Sequence, residues 1–284
     1  MGGTLKKKAL PRRRVTTATV STDERVLLLR TCEPDGSSYG GFKWPLAVGA
    51  EVTAPDWLPR AECGNGLHGL LWGEGYGNLL SWADDAVWMV ISARASDVVS
   101  LNGKVKVPSA RVECVGDRLT ATAYLAAHGG GGRAIAGGTA TAGYGGTATA
   151  GYGGTATAGD RGMATAGVGG TATAGYGGTA TAGDGGTATA GDRGTATAGY
   201  CGTATAGYCG TATAGKYGTA TAGDRGTATA GDGGTATAGD RGTVIVTWHD
   251  GMRSRVSVGY IGENGLKADT AYRLDASGAF VEAK

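Results

Sequence analysis

Between Thr139 and Gly242 polar and apolar positions alternate with a period of two, in blocks of four residues set four residues apart. Each block reads Thr-Ala-Thr-Ala and is followed by Gly-X-X-Gly, giving thirteen consecutive octads without an insertion. The block is broken once, by Met163, and the fifth and eighth positions are always glycine. Period-two alternation is the strand pattern, and Gly-X-X-Gly supplies a tight turn in which glycine can take up positive φ. Strand plus turn in fixed phase predicts a β-solenoid rather than a helix or a flexible linker. Collagen is excluded because it needs glycine at every third residue. Two octads make one flattened sixteen-residue coil, since a closed coil of eight leaves no room for two opposed sheets. Six and a half coils at about 4.8 Å each form a stack roughly 31 Å long.

The variable positions support that coil. On the edge shared by the odd octads the sixth residues are Tyr144, Asp160, Tyr176, Asp192, Tyr208, Asp224 and Asp240, and every Asp-Arg pair of the array lies there. The even edge carries Tyr152, Val168, Asp184, Tyr200, Lys216 and Asp232. Alternation keeps most aspartates two coils apart, which lowers like-charge repulsion. Cys201 and Cys209 fall on opposite edges, a strand length apart and beyond disulfide reach. Alanine is expected inside and threonine outside, because the reverse buries hydroxyls that each need a partner. Such a thin core derives its stability largely from the backbone ladder, and its ends need caps.

Outside the array the pattern changes. The expected fold is mainly β: an α+β domain over 21–128, a Gly-rich junction over 129–138, the solenoid over 139–242 and a β-meander cap over 243–284. Strands are expected over Arg25–Cys32, Ala86–Ala95 and Arg111–Val115, with a helix from Arg118 to His128. Ile135 is larger than the repeat residues and is expected to fill the gap at the first coil. In the cap, TVIVTW continues in phase with the last octad. A turn at Asp250-Gly251, a strand near Arg255–Tyr260, a turn at Glu263-Asn264-Gly265 and strands around Tyr272 and Phe280 follow.

Composition narrows the function classes. Glycine contributes 57 of 284 residues, only 18% are charged, and 26 basic against 24 acidic side chains leave a net charge of +2. That balance excludes a polyelectrolyte, so no specific nucleic-acid partner is expected. No apolar run reaches the length of a membrane span and no signal sequence is visible, so no membrane insertion and a cytoplasmic location are expected. The basic runs Lys6–Lys8 and Arg12–Arg14 read as a solvated, flexible tail over 1–20. Five cysteines without framework spacing argue for reduced thiols.

Candidate chemistry in the first domain centres on CGNGLHGLLWGEGYG, Cys63 to Gly77. Cys32, Cys63, Cys114 and His68 could in principle form a Cys3His zinc site, but no close cysteine pair is present, and none is expected. A Cys-His nucleophile pair lacks support. Phosphate cradling fails because no Lys-Ser/Thr follows the glycines. Asp84-Asp85 could form a carboxylate pair but reads as a helix start or as a turn before a strand. No catalytic, cofactor or metal residue is expected, and no cofactor.

The octads resemble the central repeats of bacterial ice nucleation proteins, on AGYGGTATAG at Ala142 to Gly151. That resemblance implies a solenoid with outward Thr-x-Thr rows. It departs in the second half-coil, which is again TATA where that family is richer in serine. The flanks, RTCEPDGSSYGGFKWP with CGNGLHG and the closing LKADTAYRLDASGAFVEAK, resemble uncharacterised phage and prophage proteins, which implies architecture but no chemistry.

Three readings of function compete. The first is a rigid, non-catalytic structural or interaction module, phage or prophage associated, that self-associates through its solenoid ends or edges. The assembly edge would carry Tyr144, Tyr176 and Tyr208. The second is an ice-binding or ice-nucleation-like protein, with ice or ordered water as its partner. Its face would be the unbroken odd ranks: Thr139, Thr155, Thr171, Thr187, Thr203, Thr219 and Thr235 beside Thr141, Thr157, Thr173, Thr189, Thr205, Thr221 and Thr237. Met163 interrupts the even ranks. The third is an enzyme of unknown activity in the first domain.

Overall fold

The computed structural model describes residues 24–283, so the basic tail expected over 1–20 lies outside the described residues. The first domain is built on seven antiparallel strands, β1 (Arg25–Cys32), β2 (Glu51–Thr53), β3 (Leu67–Leu71), β4 (Val87–Arg94), β5 (Val99–Leu101), β6 (Lys104–Val107) and β7 (Ser109–Gly116). Their order across the sheet is β2-β7-β4-β1-β3-β6-β5. Helix α1 (Arg118–Leu125) follows β7, capped by Asp117, whose carboxylate accepts the Thr120 N–H at 2.8 Å.

The strongest strand signals are apolar on both faces, and the structure shows why. Leu28, Met89, Ile91 and Val112 face a layer of loops bearing Trp44 and Trp57. Leu29, Leu70, Val90 and Trp88 face α1 through Leu125 and Ala121. A sheet covered on both faces reads as a continuous apolar run rather than an alternation. The helix stops three residues short of its expected end. The chain widens into a π turn over Ala126–Gly130, where the His128 ring stacks on Tyr124 with centroids 3.9 Å apart.

Thirteen strands, β8 (Thr139–Ala142) through β20 (Thr235–Ala238), occupy the first four positions of the thirteen octads. Odd octads form one parallel sheet and even octads the other, as the sixteen-residue coil requires. Registers run Thr171↔Thr187 and Ala172↔Ala188 on one sheet, and Thr179↔Thr195 and Ala180↔Ala196 on the other. Alanines from Ala148 to Ala238 are 0–4% exposed, so alanine is inside and threonine outside. The stack is half a coil longer than the octad count implies. β21 (Thr243–His249) pairs in parallel with β19 and completes a seventh coil, placing Val244 and Val246 over the alanine core.

The turns correct one expectation. Positive φ falls on the seventh residue, not on the invariant glycines: Arg161, Arg193, Cys201, Cys209, Tyr217, Arg225 and Arg241 adopt φ of 51–58°. The fifth and eighth positions require glycine for close approach. A Cβ on Gly191 would lie 2.9 Å from the Gly175 carbonyl carbon and the Tyr176 nitrogen of the preceding coil. One on Gly194 would lie 2.8 Å from Ala190 Cβ and the Gly191 carbonyl oxygen.

The C-terminal cap is not a single meander. β22 (Ser254–Tyr260) folds back antiparallel on β21 and extends the even sheet. β23 (Tyr272–Leu274) pairs antiparallel with β20, and β24 (Phe280–Glu282) with β23, extending the odd sheet. Each sheet thus receives its own antiparallel end, because each carries its own unpaired edge. Ile261, Tyr272, Leu266, Leu274 and Phe280 close the core between them.

The opposite end is less tightly closed. The Trp82 ring meets Tyr152 with centroids 5.3 Å apart, Ala136 N–H donates to the Gly73 carbonyl at 2.9 Å, and Gly151 N–H donates to the Ile135 carbonyl at 3.0 Å. Ile135 does not fill the gap at the first coil. It is buried with Leu125 and Ala136, and a cavity of about 600 Å³ remains between Leu119, Ile135, Ala140 and Ala148. Ala140 and Ala142 are consequently half-buried.

Candidate functional site

The candidate site is a surface, and its geometry follows from the parallel register. Equivalent residues sit side by side, so each threonine stands next to the same threonine one coil away, at about 4.8 Å, and first and third positions are roughly 6.6 Å apart along the strand. On the odd sheet the first-position rank from Thr139 to Thr235 and the third-position rank from Thr141 to Thr237 are each unbroken over seven strands. The first rank is exposed as far as Thr219, and from Thr173 onward the third rank is half-buried. β-Branched threonine has a restricted χ1, so each hydroxyl and methyl pair is held in few orientations.

The even sheet is interrupted once and its third rank is shorter by one strand. Met163, 52% exposed, stands in its first rank between Thr147 and Thr179. Ile245 ends its third rank beside Thr229. The Met163 break was legible in the sequence. Ile245 at the end of the third rank follows from the same phase, since TVIVTW occupies the first positions of a fourteenth octad.

The odd edge is a mixed ladder. Tyr144, Tyr176 and Tyr208 are all exposed, but each is separated from the next by an Asp-Arg coil. Arg161 lies 6.0 Å from the Tyr144 ring centroid and Arg193 5.9 Å from that of Tyr176, within cation–π range. The aspartates act on the backbone. Asp160 Oδ1 accepts the Tyr176 N–H at 2.9 Å, Asp192 that of Tyr208 at 2.9 Å and Asp224 that of Asp240 at 2.9 Å, and on the even edge Asp184 accepts that of Tyr200 at 2.8 Å. Charge spacing alone did not reveal this role, since it needs the sixteen-residue register.

On the even edge Tyr200 and Tyr217 meet edge to face at 5.8 Å. Lys216 Nζ lies 3.2 Å from Asp232, which raises the lysine above its ordinary pKa. Cys201 and Cys209 are exposed free thiols in turns on opposite edges.

In the first domain the four zinc candidates do not converge. Cys32 and Cys114 are buried, Cys63 is exposed, and among the described residues no cluster of three or more His, Cys, Asp or Glu side chains gathers. Burial raises the Cys32 and Cys114 thiols, while a hydrogen bond from Lys104 lowers that of Cys63. His68 lies on β3, and burial, reinforced by Lys104, Lys106 and Arg30, lowers it to about 4. Asp84 and Asp85 lie in the turn before β4. No described helix is long and apolar enough to cross a membrane.

Comparison with known proteins adds to this geometry. No protein-family profile matches the chain, and no solved structure matches it. An ice nucleation protein of Xanthomonas campestris pv. translucens is 39% identical over 107 residues, 37% of this chain and 7% of that protein. One of Pseudomonas syringae is 38% identical over 108 residues, covering 37% of this chain and 9% of its own length. Ice nucleation protein InaU of Pantoea ananas is 35% identical over 108 residues, 37% of this chain and 10% of that protein. The chain therefore spans a tenth or less of the curated relatives it matches. None of these relatives is named as a phage protein, so the phage association expected from the flanks finds no support among them. The coiled array of outward Thr-x-Thr ranks resembles the repeats of bacterial ice nucleation proteins, in sequence and in the β-solenoid those repeats implied.

Proposed function

We propose that the solenoid is an ice-binding, water-ordering module and that the odd sheet is its working face. The observation that carries this reading is the pair of unbroken seven-membered threonine ranks, Thr139 to Thr235 and Thr141 to Thr237, on one parallel in-register sheet. A rigid backbone ladder fixes the ranks before water arrives, so little ordering entropy is lost on binding. Methyls exclude water from between the ranks while hydroxyls hold it at the lattice positions. The reading needs no catalytic residue and no cofactor. The names of the relatives support it for the array; the two flanking segments are its caps.

A second reading, a structural module that assembles through its odd edge, is favoured by the exposure of Tyr144 at 72% and Tyr176 at 43%. One experiment separates the two. Ice crystals grown in the purified protein should become faceted, and the protein should remain monomeric in sedimentation at the same concentration. Unshaped crystals together with concentration-dependent oligomers would favour the structural module instead.

A further inference from the structure

Among the described residues three buried side-chain polar atoms have no hydrogen-bond partner: Arg30 Nε, Trp44 Nε1 and His68 Nε2. All three residues line one cavity of about 700 Å³ in the first domain, far from the threonine faces in sequence. Its walls come from β1, β3, the Trp44 loop and Cys63 to Gly66, the segment whose chemistry the solenoid leaves unused.

A buried polar group without a partner costs about 1–3 kcal/mol, and a charged one more. Three around one cavity are therefore unusual for mere packing. Arg30 is the most demanding. Its guanidinium stacks on the Trp44 ring at 3.5 Å and donates only to backbone carbonyls, of His68 at 3.2 Å and Thr31 at 3.3 Å. No carboxylate pairs with it among the described residues. Burial lowers its pKa to about 9, which registers the cost of holding that charge.

The remaining charges point the same way. Lys104 adds a second cation to the lining, with Nζ 3.1 Å from Cys63 Sγ. The acidic residue of the lining, Asp56, is already engaged by Gly66 N–H at 3.1 Å and Asn65 Nδ2 at 3.3 Å. Lys106 beside it is fully buried and donates to the carbonyls of Glu62 and Gly64. The rim is apolar: Tyr39 and Leu79 line the same cavity and are 104% and 48% exposed. A cavity with surplus cations, unpaired polar nitrogens buried in its walls and an apolar rim suits a small amphipathic anion.

We propose that this cavity binds a small molecule bearing an oxyanion, carboxylate or phosphate, through Arg30, Trp44 Nε1–H and Lys104, with its apolar body against Tyr39 and Leu79. His68 donates through Nε2 in the tautomer that carries a proton there. The site is independent of ice binding. Cys63 stands at its rim as a built-in reporter, whereas Cys201 and Cys209 are exposed on the solenoid and Cys32 and Cys114 are buried.

The test uses the full chain and four probes: benzoate and phenyl phosphate, with neutral benzamide and benzyl alcohol as controls. Titration calorimetry should show binding of one or both anions, the comparison separating carboxylate from phosphate, and binding of neither control. Each anion that binds should slow iodoacetamide alkylation of Cys63 at least threefold, mapped by peptide mass, and leave Cys201 and Cys209 unchanged. Arg30→Met should weaken binding at least about tenfold, the loss expected for a charge-assisted hydrogen bond. If that variant fails to fold, Trp44→Phe, which removes one donor and keeps an aromatic ring, should weaken it severalfold. Equal binding of anions and neutral controls, no binding of either anion, or unchanged affinity in a folded variant would overturn the assignment.

Discussion

At the residue scale the array is governed by what each turn position can tolerate. Past the first coil the fifth and eighth residues have no room for a Cβ, while most seventh residues have room but need a left-handed backbone. Gly191→Ala should therefore destabilise by more than 2 kcal/mol, because the new methyl meets backbone of the preceding coil that cannot move alone. Arg193→Gly should instead hold or raise stability by up to about 1 kcal/mol, by relieving the left-handed penalty. Asp192→Ala should cost about 1 kcal/mol through the Tyr208 N–H it leaves unpaired. Thermal melts of the three variants check the order, and a larger loss for Arg193→Gly than for Gly191→Ala would contradict the steric account. The sequence displayed invariant glycine plainly, but not its reason, since φ and clearance are indistinguishable until coils are stacked. In the first domain His68 has an ordinary pKa of 6.5 when unfolded and about 4 when folded. Below 6.5 the unfolded chain takes up a proton that the folded domain refuses, so His68 destabilises the fold progressively as pH falls from 6.5 towards 4. The melting temperature of the first domain should drop over that window, and less steeply in His68→Gln.

At the scale of elements the question is how a stack of four-residue strands ends. Strands this short survive because every interior strand is paired on both sides. Both ends expose edges, and the C-terminal end turns each sheet over into an antiparallel arm built from β21–β22 and β23–β24. A chain ending at Gly242 should expose the β19 and β20 edges and the alanines that Val244, Val246 and Tyr272 cover. It should aggregate, as light scattering would report; a soluble, monomeric, equally stable truncation would show that the two arms do not cap the stack. The fourteenth strand was legible in TVIVTW, because its period-two pattern continues the octad phase. The division of the later strands between two sheets was not, since short runs such as YRL and FVE carry no address for their partner. The same limit hid β2, β3, β5 and β6 in the first domain. Two of these have three residues, and β3 is interrupted by Gly69, so neither length nor alternation marked them. The oxyanion cavity was hidden for a related reason. Cys63 and His68 stand close in the sequence and suggest a ligand pair, whereas Arg30 on β1 and Trp44 in a loop are fourteen residues apart and meet only in the fold.

At the scale of the whole molecule the two faces of the solenoid form an internal control. They share one backbone, one core and one pair of caps, and differ in whether the threonine ranks are continuous. Six intervals of about 4.8 Å give the odd face a length near 29 Å. A face of that size can hold a patch of ordered water and adsorb to an ice surface already present. Starting a crystal in supercooled water demands a much larger ordered patch, so shaping of growing ice is the expected activity, with little change in the freezing temperature of droplets. Thr187 and Thr179 are equivalent first-position residues in adjacent octads, both exposed, one on each sheet. Replacing either by lysine should cost less than about 0.5 kcal/mol, because the side chain projects into solvent. The functional effects should differ. Thr187→Lys puts a charge in the middle of an unbroken rank, breaks the water lattice into two short pieces and should abolish most of the ice shaping. Thr179→Lys alters a rank that Met163 already interrupts one coil away, and shaping should persist near the parental level. Ice-crystal morphology scored against protein concentration, with circular dichroism to confirm equal folding, reads both outcomes. Equal loss in the two variants would mean that the faces act together. Loss confined to Thr179→Lys would place the activity on the even sheet, where Met163 breaks the first rank, and would contradict the claim that continuity of both ranks is what orders the water.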